Sequence, residues 1–233
     1  MQREGQLERD VDRLVRNDRI AWGASMIACK DADAMVTGNI RHYAASIEKL
    51  KKVTEPRPGE EIFGMTMITL KGKTILVADT NVQDFPSPKR LVKVSKSCVR
   101  VARLFGFDPK VAFLSHSTFG KPISKNTKHV RDAIEILKNE KVDFDFDGEM
   151  QPDVALNPIY QEIYPFSKIV GNANILIMPA LHSAAISTKL MKVFGGGKLI
   201  GPLLIGLGSP IEVAPLRAST SEILNLASIA AYS

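Results

Sequence analysis

The chain contains 233 residues, of which 45% are hydrophobic and 24% are charged. This length is enough for one large or two small hydrophobic cores, and the charged fraction is typical of soluble proteins. No run of about 18 apolar residues is present, so the sequence predicts no membrane span. Residues 1–6 also lack the apolar stretch of a secretory signal.

The charge balance is basic, with 31 Lys and Arg residues against 25 Asp and Glu residues and a net charge of +6. The basic residues are spread along the chain and are not interleaved with aromatic residues, so we do not expect nucleic-acid binding. A small polyphosphate ligand and simple solubility explain the excess equally well.

The chain has two cysteines, Cys29 and Cys98, and four histidines. Because no C-x-x-C pair exists and histidine is scarce, the sequence predicts no metal site. Both cysteines lie in helix-like apolar settings. We therefore expect reduced core residues in a cytoplasmic protein.

The first part of the chain has few predicted strands. The sequence predicts a charged helix at residues 8–17, a small-residue helix at residues 20–29 and a buried strand at residues 31–38. It then predicts an amphipathic helix at residues 40–50, two hairpin strands at residues 62–70 and 74–78, and a long helix at residues 88–105. A sheet this small would leave open edges. We therefore expect the chain to be the C-terminal part of a longer protein.

From residue 110 onward, strands and helices alternate. Strands are predicted at residues 111–114, 144–147, 175–179 and 199–204, and helices at residues 126–138, 152–156, 184–194 and 219–231. This alternation predicts an α/β fold with a doubly wound parallel sheet.

Hydroxyls, a glycine and a lysine follow the strand at residues 111–114. Ser115, Ser117, Thr118 and Lys121 are the residue types that bind an anion together with backbone N–H groups. The spacing of a nucleoside-triphosphate P-loop is absent. The alternative interpretation is an ordinary polar connection.

Carboxylates crowd the predicted corner between a strand and the helix that starts at Pro152. Asp147, Glu149 and Asp153 are candidates for a general base or a cation site. The alternative is structural, because Asp147 would cap a turn and Asp153 would lie in the first helical turn, where the dipole favours it. His182 has no nucleophile or acid at a recognisable spacing, so we expect a structural or hydrogen-bonding role for it.

The segment before the last helix contains Ser219-x-x-Glu222, which predicts a capping box. The capping box explains both residues without a further function. Arg217 is not explained in this way. An arginine in a loop beside a cleft is suited to bidentate binding of a phosphate.

In order, these segments resemble the phosphate acetyltransferase/butyryltransferase family over essentially the whole chain. The segments that carry the resemblance are residues 31–38 (DADAMVTG), 77–80 (VADT), 109–117 (PKVAFLSHS), 146–151 (FDGEMQ), 174–179 (NILIMP) and 200–207 (IGPLLIGL). Residues 19–38, 147–150 (DGEM) and 180–184 (ALHSA) resemble one branch, the C-terminal phosphotransacetylase-like domain of bacterial hybrid NADP-dependent malic enzymes.

The resemblance implies two doubly wound α/β lobes, similar to those of isocitrate and isopropylmalate dehydrogenases, with an acyl-CoA cleft between them. The last helix would return to the first lobe, which gives residues 1–107 plus 209–233 as the truncated first lobe and residues 108–208 as the second. The implied acyl-CoA or phosphate contacts add Gly38 and Asp147 to Ser115, Ser117, Thr118, Lys121 and Arg217.

The family's acyl-transfer motif has Ser-Arg before the last helix, followed by an acidic base. In this sequence, Pro215 stands at the serine position, Leu216 at the arginine position and Glu222 at the base position, with Arg217 one residue late. Proline has no hydroxyl to orient a thiol. No residue is therefore predicted to be catalytic.

The resemblance implies a regulatory module that binds acetyl-CoA or a related acyl-CoA. NADP and a divalent metal would act on malate only in the absent N-terminal part of a malic enzyme, and the whole would form homodimers or larger assemblies. The alternative is an active phosphate acyltransferase that moves an acetyl or butyryl group between phosphate and coenzyme A. Glu222 would then act as base, and Arg217 or Ser117 would hold phosphate. A third possibility is a purely structural role in oligomerisation.

Overall fold

A computed structural model describes residues 5–78, 84–169 and 171–232. The helices are α1 (Glu8–Asn17), α2 (Arg19–Cys29), α3 (Tyr43–Leu50), α4 (Pro88–Leu104), α5 (Lys128–Glu140), α6 (Pro152–Leu156), α7 (Leu181–Phe194) and α8 (Thr220–Tyr232). The strands are β1 (Met35–Gly38), β2 (Phe63–Leu70), β3 (Lys73–Ala78), β4 (Lys110–Leu114), β5 (Asp145–Met150), β6 (Ile175–Ile177), β7 (Lys198–Ile205) and β8 (Ile211–Ala214). The mixed α/β fold agrees with the predicted class.

The chain divides into two compact units, which are described separately. Met1–Ile62 and Ile200–Ser233 form the first unit, and Phe63–Leu199 forms the second. The sequence boundary was expected near residues 107 and 208, so residues 63–107 belong to a different unit from the one predicted. The physical reason is strand pairing, because β3 pairs in parallel with β6 and thereby joins the β2–β3 hairpin to the sheet of the second unit.

The first unit is built around a parallel pair of short strands, β1 and β8. Their register runs from Met35 opposite Ile211 to Gly38 opposite Ala214. The buried side chains of Ile47 on α3 and Leu226 on α8 belong to the hydrophobic core of this unit. The strand β8 was not predicted, since its four residues include a glutamate and are followed directly by a proline.

A buried acid lies between α1 and α2. The carboxylate of Asp18 caps α2 by accepting hydrogen bonds from the backbone N–H groups of Ile20 and Ala21, and it forms ion pairs with Arg41 and Lys49. Burial by itself would raise the pKa of Asp18. The hydrogen bonds from Lys49, Arg41 and the two backbone groups outweigh burial and hold this pKa well below its usual range.

The second unit contains five strands in the order β5-β4-β6-β3-β2. The β4–β5 and β4–β6 pairs are parallel and β2 and β3 form an antiparallel hairpin, all as predicted, whereas the parallel β3–β6 pair was not predicted. Lys71 and Gly72 connect β2 and β3, and both have positive φ (50° and 75°), which is the conformation that a tight hairpin turn requires. The buried core of this unit includes Ile68, Leu114 and Leu176.

Strand β5 extends further than the sequence predicted. It does not end at Asp147 but continues through Gly148 and Glu149 to Met150. Gly148 has φ +147°, and a Cβ atom there would lie 2.6 Å from the carbonyl oxygen of Phe113. The close approach of β4 and β5 therefore requires glycine at this position.

The two cysteines differ in environment. Cys98 is buried in α4, as expected, but Cys29 is exposed, so its predicted core position is wrong. Cys29 is the last residue of α2 and lies beyond the buried face of that helix.

Among the described residues, no helix combines the length and apolar character needed to span a bilayer. Asp79 and Thr80, part of one resembling segment, lie outside the described residues.

Candidate functional site

The strand order of the second unit creates a crevice at the carboxyl end of β4. From β4 the chain passes through α5 to β5 on one side, whereas β6 lies on the other side of β4. In open α/β sheets, ligands bind at such a reversal of strand order, next to the loops that leave the two central strands. The loops that follow β4 and β6 line a cavity of about 780 Å³ in this position.

The cavity combines basic and apolar groups. Its wall includes Lys125, Lys128, His129 and His182, together with Phe85, whose ring lies 5.5 Å from that of His182. Lys128 is paired with Asp132 at 2.7 Å, and a ring nitrogen of His129 is 2.9 Å from the carbonyl oxygen of Pro179. Polar groups that converge on one cavity beside an apolar surface are typical of small-molecule sites. The two lysines of the lining outnumber its one carboxylate, that of Asp132, which favours an anionic ligand with an apolar part.

The loop after β4 uses two of its four predicted anion-binding residues internally. Ser115 lines the cavity, but Ser117 is fully buried and its hydroxyl donates to Oε1 of Glu149 at 2.9 Å. The hydroxyl of Thr118, also buried, accepts a hydrogen bond from the backbone N–H of Gln151. Lys121 is exposed and is not among the residues that line the cavity. The structure thus brings Ser115 to the cavity wall and gives Ser117 and Thr118 roles within the loop.

The side chain of Glu149, which lies on β5 and is only 1% exposed, is contacted by several groups of this loop. Its Oε1 atom accepts hydrogen bonds from the Ser117 hydroxyl, from the Gly120 N–H at 3.1 Å and from Nη1 of Arg131 at 3.0 Å. Its Oε2 atom is buried and has no hydrogen-bond partner among the described residues. The sequence did not reveal this arrangement, because Arg131 is 18 residues away from Glu149 and has no local pattern to mark it.

Asp147 has a structural position in β5. Its carboxylate accepts hydrogen bonds from the N–H of Gly148 at 2.9 Å and from the N–H of Lys168 at 2.7 Å. The residue is buried and is not part of the cavity lining. Asp147 therefore anchors the segment around Lys168 to the sheet, which agrees with the structural alternative considered from the sequence.

The other predicted contacts lie in the first unit, where β1 and β8 end. Gly38 has φ +103°, and a Cβ atom there would overlap the carbonyl oxygen of Ala214. Asn39 donates its N–H to the same oxygen at 3.2 Å, and Arg217 donates its N–H to the carbonyl oxygen of Asn39 at 3.0 Å. Gly38 and Arg217 are therefore brought to one corner, at which the side chain of Arg217 is exposed.

The capping box before α8 is present, as predicted. Oε2 of Glu222 accepts hydrogen bonds from the N–H and the hydroxyl of Ser219 at 2.8 and 2.9 Å, and the Ser219 hydroxyl accepts from the N–H of Glu222 at 3.2 Å. Pro215 and the exposed Leu216 precede this cap. Glu222 thus holds the start of helix α8.

Glu212, in β8, is also a buried acid and is 4% exposed. One carboxyl oxygen accepts a hydrogen bond from the N–H of Leu204 at 2.8 Å. Burial raises the pKa of Glu212 to about 8, and the backbone hydrogen bond offsets only part of this effect.

Within residues 5–78, 84–169 and 171–232, no group of three or more His, Cys, Asp or Glu side chains is arranged to hold a metal ion.

Comparisons with known proteins match this chain over nearly its full length. It is 45% identical over 232 residues to an NADP-dependent malic enzyme of Rhizobium meliloti, a match that covers 100% of this chain and 30% of that protein. It is 28% identical over 231 residues to a phosphate acetyltransferase of Bacillus subtilis, covering 98% of this chain and 72% of that protein. The chain thus spans about a third or less of the malic enzymes that it matches.

The fold matches solved phosphotransacetylases. A phosphotransacetylase from Streptococcus pyogenes superposes with a TM-score of 0.91 at 29% identity, covering 98% of this chain and 71% of that chain. The family model described as "Phosphate acetyl/butaryl transferase" matches residues 1–231. Because this match extends over nearly all of the sequence, and the overall fold agrees with it, the chain belongs to the phosphate acetyl/butyryl transferase family, in a form homologous to part of NADP-dependent malic enzymes.

Proposed function

We propose that this chain is the regulatory module of an NADP-dependent malic enzyme and that it binds acetyl-CoA or a related acyl-CoA. The relatives that carry the malic enzyme name are more than three times as long as the matched region, which supports a catalytic part elsewhere in the same polypeptide. Oxidative decarboxylation of malate, with NADP and a divalent metal, would take place in that part. Binding in the module would change the affinity of that part for malate or NADP through the coupling of two sites.

The observation that carries the proposal is the composition of the segment before α8. Pro215 has no hydroxyl, and Leu216 offers an exposed apolar side chain where an acyl-transfer motif needs a guanidinium. The carboxylate of Glu222 is engaged in the helix cap. Loss of a preorganised donor typically lowers the rate by about 100-fold to 1,000-fold. Binding does not depend on these groups in the same way, because only interactions stronger in the transition state promote turnover.

The chemistry of the cavity supports an acyl-CoA ligand. Coenzyme A carries several phosphate groups on a nucleotide and a long, largely uncharged arm that ends in the thiol. Lys125 offers positive charge, and Phe85 offers an apolar surface, on a cavity of about 780 Å³. This volume lies within the range of about 300 to 1,000 Å³ that is usual for small-molecule sites.

The proposal is tested with the complete malic enzyme polypeptide that contains this chain. Acetyl-CoA is titrated into it in a calorimeter, with coenzyme A and free acetate as separate ligands. We expect saturable binding of acetyl-CoA, with weaker binding of acetate. Absence of binding at millimolar acetyl-CoA would contradict the proposal.

The alternative is that the chain is an active phosphate acyltransferase. Its similarity to named phosphate acetyltransferases and phosphotransacetylases over 98% of its length favours this alternative. Glu222 would deprotonate the thiol, and Arg217 would hold the phosphate. The two functions are separated by following the loss of free thiol when acetyl phosphate and coenzyme A are mixed with the protein. Sustained turnover would favour the transferase, and its absence would favour the regulatory module.

A further inference from the structure

A chain of hydrogen bonds leads from the cavity wall to the buried carboxylate of Glu149. The hydroxyls of Ser115 and Ser117 are 3.2 Å apart, and the Ser117 hydroxyl donates onward to Glu149. Because each hydroxyl has one proton and that of Ser117 is committed to the carboxylate, the Ser115 proton points to Ser117. The orientation of the cavity-lining hydroxyl is therefore set from inside the protein.

Arg131 extends this network to the far end of the same loop. Its Nη1 atom donates to Oε1 of Glu149 at 3.0 Å and to the hydroxyl of Thr127 at 2.7 Å, and its Nη2 atom donates to the carbonyl oxygen of Ser124 at 3.1 Å. The turn at Lys125–Thr127, which directly follows Ser124 and includes Thr127, lines the cavity. One guanidinium thus ties the Lys125 turn to strand β5.

Both ends of the loop consequently contact a single ion pair. Glu149 is 1% exposed, whereas the Arg131 side chain is 34% exposed. A buried carboxylate needs a cation and hydrogen bonds to remain inside a protein. Arg131 supplies the cation, and Ser117 and Gly120 supply two of the hydrogen bonds.

We propose that Arg131 and Glu149 are positioning residues for the cavity, fixing the loop of residues 115–127 in the conformation that presents Lys125 to the anionic part of a ligand and the Ser115 oxygen as a hydrogen-bond acceptor. The inference rests on the proposed function, in that the ligand is taken to be acyl-CoA. Neither residue lines the cavity, so each acts through the groups that it holds. If the loop were released, it would have to be ordered again on binding, and affinity would fall by about tenfold.

The test uses the complete malic enzyme polypeptide with the substitution Arg131→Met, and acetyl-CoA as the probe. Calorimetry gives the dissociation constant, and hydrogen exchange of the ligand-free protein reports on residues 115–127 and on β4. We expect about tenfold weaker binding and faster exchange in the loop, with unchanged exchange in β4. Arg131→Lys keeps a positive charge beside Glu149 but lacks the guanidinium group that donates to both Thr127 and Ser124. It should therefore restore affinity in part.

A matched control is Arg103→Met, which removes a similar pair of hydrogen bonds from Arg103 to Asp143, away from the cavity. It should leave acetyl-CoA affinity unchanged. If Arg131→Met does not fold, the double substitution Arg131→Met with Glu149→Gln takes its place in the binding measurement, because it removes the unpaired buried charge. We expect it to fold and to bind acetyl-CoA about tenfold more weakly than the wild type.

The outcomes separate the two proposals. If the wild type does not bind acetyl-CoA, the proposed function fails, while hydrogen exchange still tests the restraint on the loop. If the wild type binds and the folded Arg131 variants bind equally well, the positioning role is overturned. Faster exchange throughout β4 as well as in the loop would also overturn it, because Arg131 would then support the whole unit and not the loop.

Discussion

Replacing the buried acid of β8 should change how stability depends on pH. Glu212 is 4% exposed and has a pKa of about 8, against an ordinary value of 4.5. Between these two pH values the folded protein binds more protons at this site than the unfolded chain, so the free energy of unfolding falls as pH rises. The full stability contribution is present below pH 4.5 and is lost as the pH passes through about 8.

The magnitude follows from the size of the shift. A difference of 8 − 4.5 = 3.5 units corresponds to a loss of about 5 kcal/mol above pH 8, of which about 3 kcal/mol is already lost at pH 7. Glu212→Gln retains the carbonyl oxygen that accepts from the N–H of Leu204 but cannot ionise. We therefore expect the variant to be more stable than the wild type at pH 8, with the difference shrinking toward pH 5.

Urea unfolding at pH 5, 6, 7 and 8 measures this difference directly, provided that the slope with urea is the same for both proteins. Because all other titrating groups are shared, subtracting the two curves isolates residue 212. A difference that stays constant across these pH values would refute the reasoning. So would a variant that loses stability with rising pH as steeply as the wild type.

Three further substitutions test individual contacts. Asp18→Asn keeps the helix cap but removes the charge that pairs with Arg41 and Lys49. It should cost about 2 kcal/mol at pH 7, and less as the pH falls through the lowered pKa of Asp18, by urea unfolding. Gly148→Ala places a Cβ 2.6 Å from the carbonyl oxygen of Phe113 and should lower the melting temperature clearly. The control Gly59→Ala, with open space around it, should cost only about 1 kcal/mol. Equal effects of the two substitutions on the melting temperature would contradict the packing argument. Ser219→Ala removes one side of the capping box and should cost about 1 kcal/mol in thermal unfolding, and an unchanged melting temperature would show that the cap contributes nothing.

Local patterns in the sequence predicted most of the helices and strands. The helix α6, Pro152–Leu156, was placed correctly because proline favours a first helical turn. The long helix α4 was predicted from its apolar stripe and the glycine that follows it. These features depend on residues within one or two turns, and such information is present in a single chain.

Features that depend on distant residues were missed. Strand β8 contains Glu212, whose burial depends on the surrounding first unit and is not evident from its neighbours in sequence. Glu149 was interpreted as part of a polar corner, yet it is buried because Arg131 reaches it from α5. The boundary between the units shifted for the same reason, since β3 pairs with a strand about 100 residues later.

The same distinction applies to the predicted site. The loop after β4 was recognised as polar and close to a strand end, and Ser115 does line the cavity. The sequence could not show that the hydroxyl of Ser117 points inward to Glu149. It also could not show that the loop after β6 brings His182 and Pro179 to the same cavity, because strand order is a property of the whole sheet.

The most direct test of the regulatory proposal is the affinity of the complete polypeptide for acetyl-CoA, measured with and without saturating malate and NADP. Coupling between two sites is reciprocal, so substrates bound in the catalytic part must change the affinity of the module for its effector. We predict a change of about 5-fold to 150-fold in the dissociation constant of acetyl-CoA. Equal affinities under the two conditions would contradict the proposal that this chain regulates malate oxidation by binding acyl-CoA.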